Sequence, residues 1–241
     1  MDTTRIAQLL GPFLSTLAPL KSCHSERSEE SAVLSSAQLQ TISTYIDLLL
    51  RWNARINLTA IRQPEEIVTR HFGESLFAAR HLFPAEATTE EPSEPALRNV
   101  ERDSTSVIDI GSGAGFPGIP IRIWAPDIDL TLIESNQKKT TFLREVARTI
   151  TSTNINVFPG RAEDYPGPPA DVVTLRAVEQ FDTALPVATR LVAPTGRLAL
   201  LMGESQLART QTLAPQFAWP QSIPIPLSSS RVLIIGIKEP R

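Results

Sequence analysis

Two segments within the first 84 residues carry apolar side chains at helical spacing. The first segment repeats an apolar residue every three or four positions from Leu39 to Leu50, which predicts a helix over about residues 40–53. The second begins near Pro64, a favoured first-turn residue, and its apolar stripe continues to Pro84. The serine-rich segment 21–38 has few large apolar groups, so we expect a poorly ordered insert there within a helical amino-terminal region over 1–84.

After residue 106 the pattern changes to short apolar runs that alternate with helical periodicity. The runs predict strands over 107–110, 130–133, 155–158, 172–175, 198–202 and 232–237, with helices over 117–125, 137–150, 181–193 and 204–213. This alternation predicts an α/β fold over 107–241, a doubly wound sheet whose ligand crevice lies at the carboxyl ends of the strands, beside the first strand. The acidic, proline-containing segment 85–106 predicts a linker or insert between the two regions.

Composition and charge then exclude several classes of protein. The chain has 241 residues, of which 41% are hydrophobic and 20% charged, so it is neither a disordered chain nor a coiled coil. It has no run of about 18 apolar residues and no secretory signal pattern, so we expect no membrane segment. The lone Cys23 excludes a disulfide framework and a cysteine-built zinc site, and favours the cytoplasm. A net charge of -3 excludes no partner, because the acidic segment 85–106 outweighs an arginine-rich segment over 51–83.

The candidate chemistry begins at a glycine-rich loop, VIDIGSGAGFPGIP, which contains the end of the first predicted strand. A dinucleotide fingerprint needs G-x-G-x-x-G, but here Phe116 occupies the place of the third glycine. The order Asp109-x-Gly111-x-Gly113-x-Gly115 is instead typical of S-adenosylmethionine (SAM) enzymes. Glycine lets a ligand approach main-chain amides closely, and an acidic neighbour such as Asp109 would favour the cationic groups of SAM, directly or through water.

Two later positions strengthen the prediction of a SAM site. Glu134 ends the second predicted strand, where a carboxylate can bind both ribose hydroxyls. The segment 161–164, Arg-Ala-Glu-Asp, follows the third predicted strand and is placed to contact the adenine edge. The alternative is that the glycines merely make a tight turn from strand to helix, but the three features together favour SAM.

Two catalytic motifs that are absent from the sequence limit the kind of atom that could accept the methyl group. Methylation of an exocyclic amine usually needs an Asn/Asp-Pro-Pro-aromatic loop after the fourth strand, and this chain has Leu-Arg-Ala-Val over 175–178. Methylation of a pyrimidine carbon commonly uses a cysteine nucleophile, and Cys23 lies in the predicted insert. Guanine N7 loses no proton when it is methylated, so it needs orientation but no general base and no metal. Such a base is usually presented unpaired, which in RNA means a loop.

Several blocks of residues together resemble one enzyme family. The blocks are Trp52-Asn53 with Asn57-Leu58-Thr59, Arg70-His71 with Glu74-Ser75, Asp109 to Pro120, Leu132 to Ser135 with Lys138-Lys139 and Phe142-Leu143, Arg161-Ala162-Glu163, and Arg176-Ala177. They are similar to the bacterial 16S rRNA guanine-N7 methyltransferase family of the small ribosomal subunit, also called glucose-inhibited division protein B. The similarity covers about residues 40–83 and 107–241.

The resemblance implies a class I SAM-dependent methyltransferase fold (Rossmann-like) with a helical amino-terminal extension, acting on N7 of a guanine in 16S rRNA. It implies a cytoplasmic enzyme that meets 16S rRNA or an assembling small subunit, and we expect a monomer. With the glycine loop, the expected cofactor residues are Asp109, Gly111, Gly113, Phe116, Glu134, Ser135, Ala162, Glu163 and Arg176. Arg176 is also the expected catalytic residue, through electrostatic positioning.

Residues expected at the RNA are Arg55, Arg70, His71, Arg161 and Arg231. For His71, a hydrogen-bonded histidine packed between helices is an equal alternative. The chain departs from the family pattern at Met202, where lysine is common, and at Glu74, which replaces aspartate. Two other functions stay open: a SAM enzyme that methylates a small molecule, and a non-catalytic ribosome-assembly factor.

Overall fold

The structure is a computed structural model, and it describes residues 1–15, 34–84, 104–150, 154–176 and 180–240. The described strands form one eight-stranded sheet in the order β3-β2-β1-β4-β5-β8-β6, with β7 paired to β8. The strands are β1 (Ser106–Ile110), β2 (Asp129–Ile133), β3 (Ile155–Phe158), β4 (Ala170–Arg176), β5 (Val192–Gly203), β6 (Phe217–Ala218), β7 (Ile223–Pro224) and β8 (Arg231–Lys238). Strands β1 to β5 run parallel and β8 pairs antiparallel with β5.

Helices cover both faces of this sheet. They are α1 (Thr3–Leu14), α2 (Ser36–Asn53), α3 (Pro64–Glu66), α4 (Glu74–Leu82), α5 (Gly118–Trp124), α6 (Gln137–Thr149), α7 (Phe181–Leu191) and α8 (Leu207–Leu213). A π-helical turn, Ile67–Gly73, joins α3 to α4 without a break. None of the helices in the described ranges is long and apolar enough to cross a membrane. The parallel strands β1 to β5 with helices on both faces confirm the predicted doubly wound sheet with a helical amino-terminal layer.

The sheet separates two hydrophobic cores, and strand alternation decides which side chains enter each. On β1, Val107 joins the core that contains α1, α2, α4, α5 and α6. Its neighbours Ile108 and Ile110 face the opposite way, into the core beneath α7. Because the amino-terminal helices contribute to the first core, they form a layer of the α/β fold itself.

Helix α2 begins earlier than its apolar stripe predicts. Ser35 caps the helix: its hydroxyl accepts from the Gln38 amide at 3.2 Å, and the Gln38 side chain accepts from the Ser35 amide at 2.8 Å. This reciprocal capping box places the first turn at Ser36, inside the insert predicted over about 21–38. Residues 21–33 of that insert, and 85–103 of the predicted linker, lie outside the described residues.

The boundary between α7 and β5 also differs from prediction. We expected helix to 193, but α7 ends at Leu191 and β5 begins at Val192, which pairs with Ala170. Pro194 removes a backbone donor and Thr195 has a φ of 60°, so the helix cannot continue. The register of β4 and β5 shifts across this point, which accommodates the extra residues as a bulge.

Candidate active site

A crevice of about 180 Å³ opens at the carboxyl ends of β1, β2 and β3. This is where a doubly wound sheet is expected to bind its ligand. Its lining combines the ends of the three strands with the first turns of α7: Ile110, Gly111, Ile133, Glu134, Ser135, Gly160, Arg161, Ala162, Glu163, Gln180, Thr183, Ala184 and Val187. The structure therefore brings together five of the predicted cofactor residues, and it adds Gln180 and Thr183, which the sequence did not single out.

The glycine loop has the backbone conformation that its composition predicts. Gly111, Gly113 and Gly115 have φ values of 65°, 58° and 89°, in the left-handed region that favours glycine. Glu134 braces the loop, because one carboxylate oxygen accepts from the Gly113 amide at 2.9 Å and the other from the Asn136 amide at 2.8 Å. A Cβ added at Gly111 would meet no atom within 4 Å, so the space beside this residue is open to a ligand.

The Asp109 side chain is not among the groups that line the crevice, and its contact with the cofactor, directly or through water, stays a prediction. Its side chain is completely buried behind the loop, where it accepts from the Thr174 hydroxyl at 2.8 Å and from the Gly118 amide at 3.1 Å. Burial raises the pKa of Asp109 to about 6 despite these hydrogen bonds. Strand alternation explains the position, since Asp109 shares the face of Val107 whereas Ile110 lines the crevice.

The Phe116 ring packs away from the crevice, and the contact of this residue with the cofactor stays a prediction. It stacks between His71 and Tyr45, with ring centroids 4.7 Å and 5.4 Å apart, and meets Phe72 edge to face. The buried Tyr45 hydroxyl donates to the Ala114 carbonyl in the glycine loop. Aromatic packing and this hydrogen bond together fix the loop against the amino-terminal helical layer.

Four charged side chains form a second feature beside the crevice, which we call the Glu74 cluster: Glu74, Arg70, Arg176 and Arg231. The Glu74 side chain is 2% exposed and pairs with Arg70 at 3.4 Å, with Arg176 at 3.2 Å and with Arg231 at short range. Burial raises the pKa of Glu74, and the three guanidinium groups oppose that rise. Arg176 ends β4 and also donates to the Arg70 carbonyl at 2.6 Å, so it joins the sheet to the helical layer.

His71 adjoins this cluster as a neutral side chain. Its Nδ1 lies 3.3 Å from Arg176 Nη2, which can only donate, and its Nε2 lies 2.8 Å from the Thr59 hydroxyl. Nδ1 is therefore the acceptor and the proton sits on Nε2. Burial first, and then the nearby positive charges, lower the pKa of His71 to about 3. Its packing against Phe116 matches the alternative of a hydrogen-bonded histidine between elements.

The remaining predicted RNA residues divide between different places. Arg231 and Arg70 lie in the Glu74 cluster, whereas Arg161 lines the crevice with the predicted cofactor residues. Arg55 is exposed after the end of α2 and makes no side-chain hydrogen bond with any described residue. Sequence reasoning noticed Glu74 only as a replacement for aspartate. Its spacing of four from Arg70 on one helical stretch was the available signal of an ion pair.

A smaller cavity of about 100 Å³ lies at the carboxyl ends of β4 and β5. Its lining is mainly apolar, with Arg231 and Gln206 as polar members: Leu175, Phe181, Leu200, Leu201, Met202, Gly203, Gln206 and Arg231. Met202, which stands where the family pattern commonly has lysine, is thus part of the apolar lining of this cavity. Within the described ranges, no group of three His, Cys, Asp or Glu side chains is arranged to hold a metal ion.

Comparisons with known proteins agree with this geometry. The model of the GidB family, described as rRNA small subunit methyltransferase G, matches residues 38–89 and 93–228. The ribosomal RNA small subunit methyltransferase G of Xanthomonas euvesicatoria pv. vesicatoria is 35% identical over 190 residues, covering 78% of this chain and 80% of that protein. The protein of the same name from Halorhodospira halophila is 36% identical over 186 residues, covering 77% and 79%. Among solved structures, M. jannaschii TYW2 in complex with AdoMet matches with a TM-score of 0.50 at 16% identity, over 59% of this chain and 72% of that one, which indicates a shared fold.

Proposed function

Because the chain belongs to the rRNA small subunit methyltransferase G family, we propose that it transfers a methyl group from SAM to N7 of a guanine in 16S rRNA. The observation that carries this proposal is the crevice at the ends of β1 to β3, closed on one side by a left-handed glycine loop. The proposal includes a monomeric, cytoplasmic enzyme whose substrate is 16S rRNA or an assembling small subunit.

The polar residues that line the crevice support SAM as its ligand. Glu134 and Ser135 follow β2, and Ala162 and Glu163 follow β3, so these four residues would hold the nucleoside part of the cofactor. The open space beside Gly111 allows a ligand to lie against the loop backbone. When bound, SAM supplies an electrophilic methyl group on a sulfonium centre. The carboxylates of Glu134 and Glu163 make the crevice favourable for a ligand with positive charge.

The residues near the end of β4 support a mechanism based on orientation. Guanine N7 attacks with an in-plane lone pair and no proton leaves the base, so no general base is required. His71 fits this chemistry because its Nδ1 is already occupied by Arg176 and its low pKa keeps it neutral. The Nη2 group of Arg176 contacts the Arg70 carbonyl, His71 Nδ1 and the Glu74 carboxylate. We therefore assign Arg176 a positioning role at the acceptor side, in accordance with its predicted electrostatic function.

The proposal is tested by incubating the protein with methyl-labelled SAM and 16S rRNA from cells that lack this activity. We expect label in the RNA and chemical cleavage at a 7-methylguanine. Label found only in small molecules would favour a small-molecule methyltransferase. SAM binding without any transfer, to naked RNA or to assembling subunits, would favour an assembly factor.

A variant of the glycine loop tests the cofactor site separately. Gly111→Asp places a carboxylate in open space at a backbone conformation that aspartate tolerates, so the fold should remain. Because the new side chain fills the space that the ligand needs, calorimetry should show a loss of SAM affinity of about a hundredfold or more. Unchanged affinity would contradict the proposed site. Gly11→Asp in α1, where an added Cβ also meets no atom within 4 Å, is the control.

A further inference from the structure

Glu74 lies where three separate elements meet. Arg70 comes from the π-helical turn, Arg176 from the end of β4 and Arg231 from the start of β8. A single buried carboxylate contacts all three guanidinium groups. The three arginines are far apart in sequence, and in the folded protein they meet at this carboxylate.

The Glu74 cluster has an excess of positive charge, because three guanidinium groups face one carboxylate. Among the described residues, the other carboxylate that pairs with these arginines is Glu66, which lies 3.8 Å from Arg70 and is half exposed. Exposure increases outward through the cluster: the side chain of Arg176 is 10% exposed, that of Arg231 24% and that of Arg70 44%. Like charges held this close repel one another, and an anion at the open side would relieve the repulsion.

The outer two arginines keep donors available. Arg231 is fixed by Glu74 through Nη2 and by the Ser228 hydroxyl through Nε at 3.3 Å, whereas Nη1 bonds to no described residue. Arg70 contacts Glu74 through Nε and Glu66 through Nη1, which leaves Nη2 without a described partner. Guanidinium groups held in a fixed orientation with free donors suit the oxygen atoms of a phosphate.

We propose that Glu74 is a positioning residue that holds Arg70 and Arg231 as a binding site for one backbone phosphate of the substrate RNA. The inference rests on the proposed function and adds to it the group that orders the RNA-facing arginines. Arg231 also lines the cavity at the ends of β4 and β5. A phosphate bound at the Glu74 cluster would therefore hold a nucleotide beside this cavity.

A simpler explanation makes Glu74 only a counter-charge, and the two explanations predict opposite results for Glu74→Gln. Removing a negative charge without changing shape makes the surface more positive, so a mere counter-charge would give tighter binding of a polyanion. If Glu74 orients the arginines, the same change releases Arg70 and Arg231 and weakens binding. Glu66→Gln is the matched control, because it removes an exposed carboxylate from the same arginine.

The first experiment measures binding of a short single-stranded RNA by fluorescence anisotropy over a range of KCl concentrations, and it needs no methyl transfer. We expect Glu74→Gln to bind about tenfold more weakly, with the slope of log affinity against log salt reduced by about 0.7 for the lost phosphate. Glu66→Gln should bind as tightly as the wild type or more tightly. Unchanged or tighter binding by Glu74→Gln would overturn the inference.

A second variant keeps the inference testable if Glu74→Gln does not fold. Arg231→Lys keeps the charge but replaces the planar fork with a single ammonium, so RNA binding should again weaken by about tenfold. Arg209→Lys is its control, since Arg209 makes a similar two-point contact with Asp182 on an exposed surface. Equal binding by Arg231→Lys and the wild type would overturn the inference.

Methyl transfer separates this inference from the proposed function. With 16S rRNA as substrate, Glu74→Gln should raise KM for RNA while its affinity for SAM stays that of the wild type, and Glu74→Asp should restore part of the loss. A wild-type protein that binds RNA through the cluster but never methylates it would refute the function alone. Normal KM in a folded Glu74→Gln that methylates RNA would refute the positioning role alone.

Discussion

The neutral state of His71 makes a prediction about stability at acid pH. In the folded protein its Nδ1 accepts from Arg176 and its pKa lies at about 3, below the ordinary value of 6.5. An unfolded chain would bind the proton near pH 6.5, whereas the folded protein resists it. Between these two values the unfolded state binds more protons, so the free energy of unfolding falls as the pH is lowered. The stability from this site is complete above about pH 6.5.

The size of the effect follows from the shift. One group can change the free energy of unfolding by at most about 1.4 kcal/mol per pH unit, or about 4 to 5 kcal/mol over the whole interval. Asp109 acts in the opposite direction, because its pKa is raised from 3.8 to about 6. Its folded state binds the proton more readily, which adds stability as the pH falls through that interval. The two effects partly cancel in the wild type, so only a comparison with a variant isolates His71.

His71→Gln keeps a donor and an acceptor but does not titrate. We would measure urea unfolding of both proteins from about pH 7.5 down to about pH 4.5 and subtract the variant from the wild type at each pH. The difference should fall by about 1 kcal/mol or more per unit below about pH 6. His81→Gln is the control: His81 also has a lowered pKa, but its hydrogen bond to the Phe77 carbonyl opposes the effect of burial. Parallel curves for wild type and His71→Gln would refute the assignment of a buried neutral histidine.

Two further predictions concern the support of the glycine loop. Gly115→Ala should lower the free energy of unfolding in urea by about 2 to 4 kcal/mol, because the added Cβ would overlap the Tyr45 hydroxyl at a residue with a left-handed φ. Gly111→Ala is the control and should cost only the backbone strain of about 1 kcal/mol. Equal losses for the two variants would contradict the packing of Tyr45 against Gly115. Thr174→Val should cost about 1 to 3 kcal/mol and raise the pKa of Asp109 further, because it removes a donor from a buried carboxylate. Thr174→Ser keeps the hydroxyl and should lie near the wild type, and a loss as large as that of valine would show that packing, not the hydrogen bond, is responsible.

The pattern of apolar runs and of the breaker residues between them was sufficient to predict the main strands of the sheet. The six main strands are local apolar runs bounded by breakers, so their positions do not depend on distant contacts, and β3 (Ile155–Phe158) lies where the sequence predicts it. The two-residue strands β6 and β7 carry no such signal, because each is defined by its pairing with β8. The start of α2 was missed for another reason: Ser35 and Gln38 cap the helix within a serine-rich stretch whose composition suggested an insert.

Only part of the candidate site could be predicted from the sequence, and the reasons are again physical. Glu134 and the segment 161–164 were predicted at the crevice because parallel strands deliver their carboxyl ends to one edge of the sheet, whereas Ser135 was implied by the resemblance. The buried position of the Asp109 side chain was not predicted, because a motif gives the order of residues along the chain but not the face of the strand, although alternation from Val107 contained that information. The role of Glu74 depends on Arg176 and Arg231, which only the folded chain brings to it.

The amino-terminal helical layer contacts the candidate site as well as the core. Tyr45 of α2 bonds to the glycine loop, and Glu74 of α4 pairs with arginines at the ends of β4 and β8. The first contact supports the proposed cofactor side and the second the proposed acceptor side, and His71 joins them by stacking on Phe116 while accepting a hydrogen bond from Arg176. Since buried hydrogen bonds and ion pairs lose much of their strength when one partner moves, a displacement of this layer would disturb both sides together. In the proposed reaction the same helices would thus set the geometry of both cofactor and acceptor, which is what a reaction governed by orientation requires.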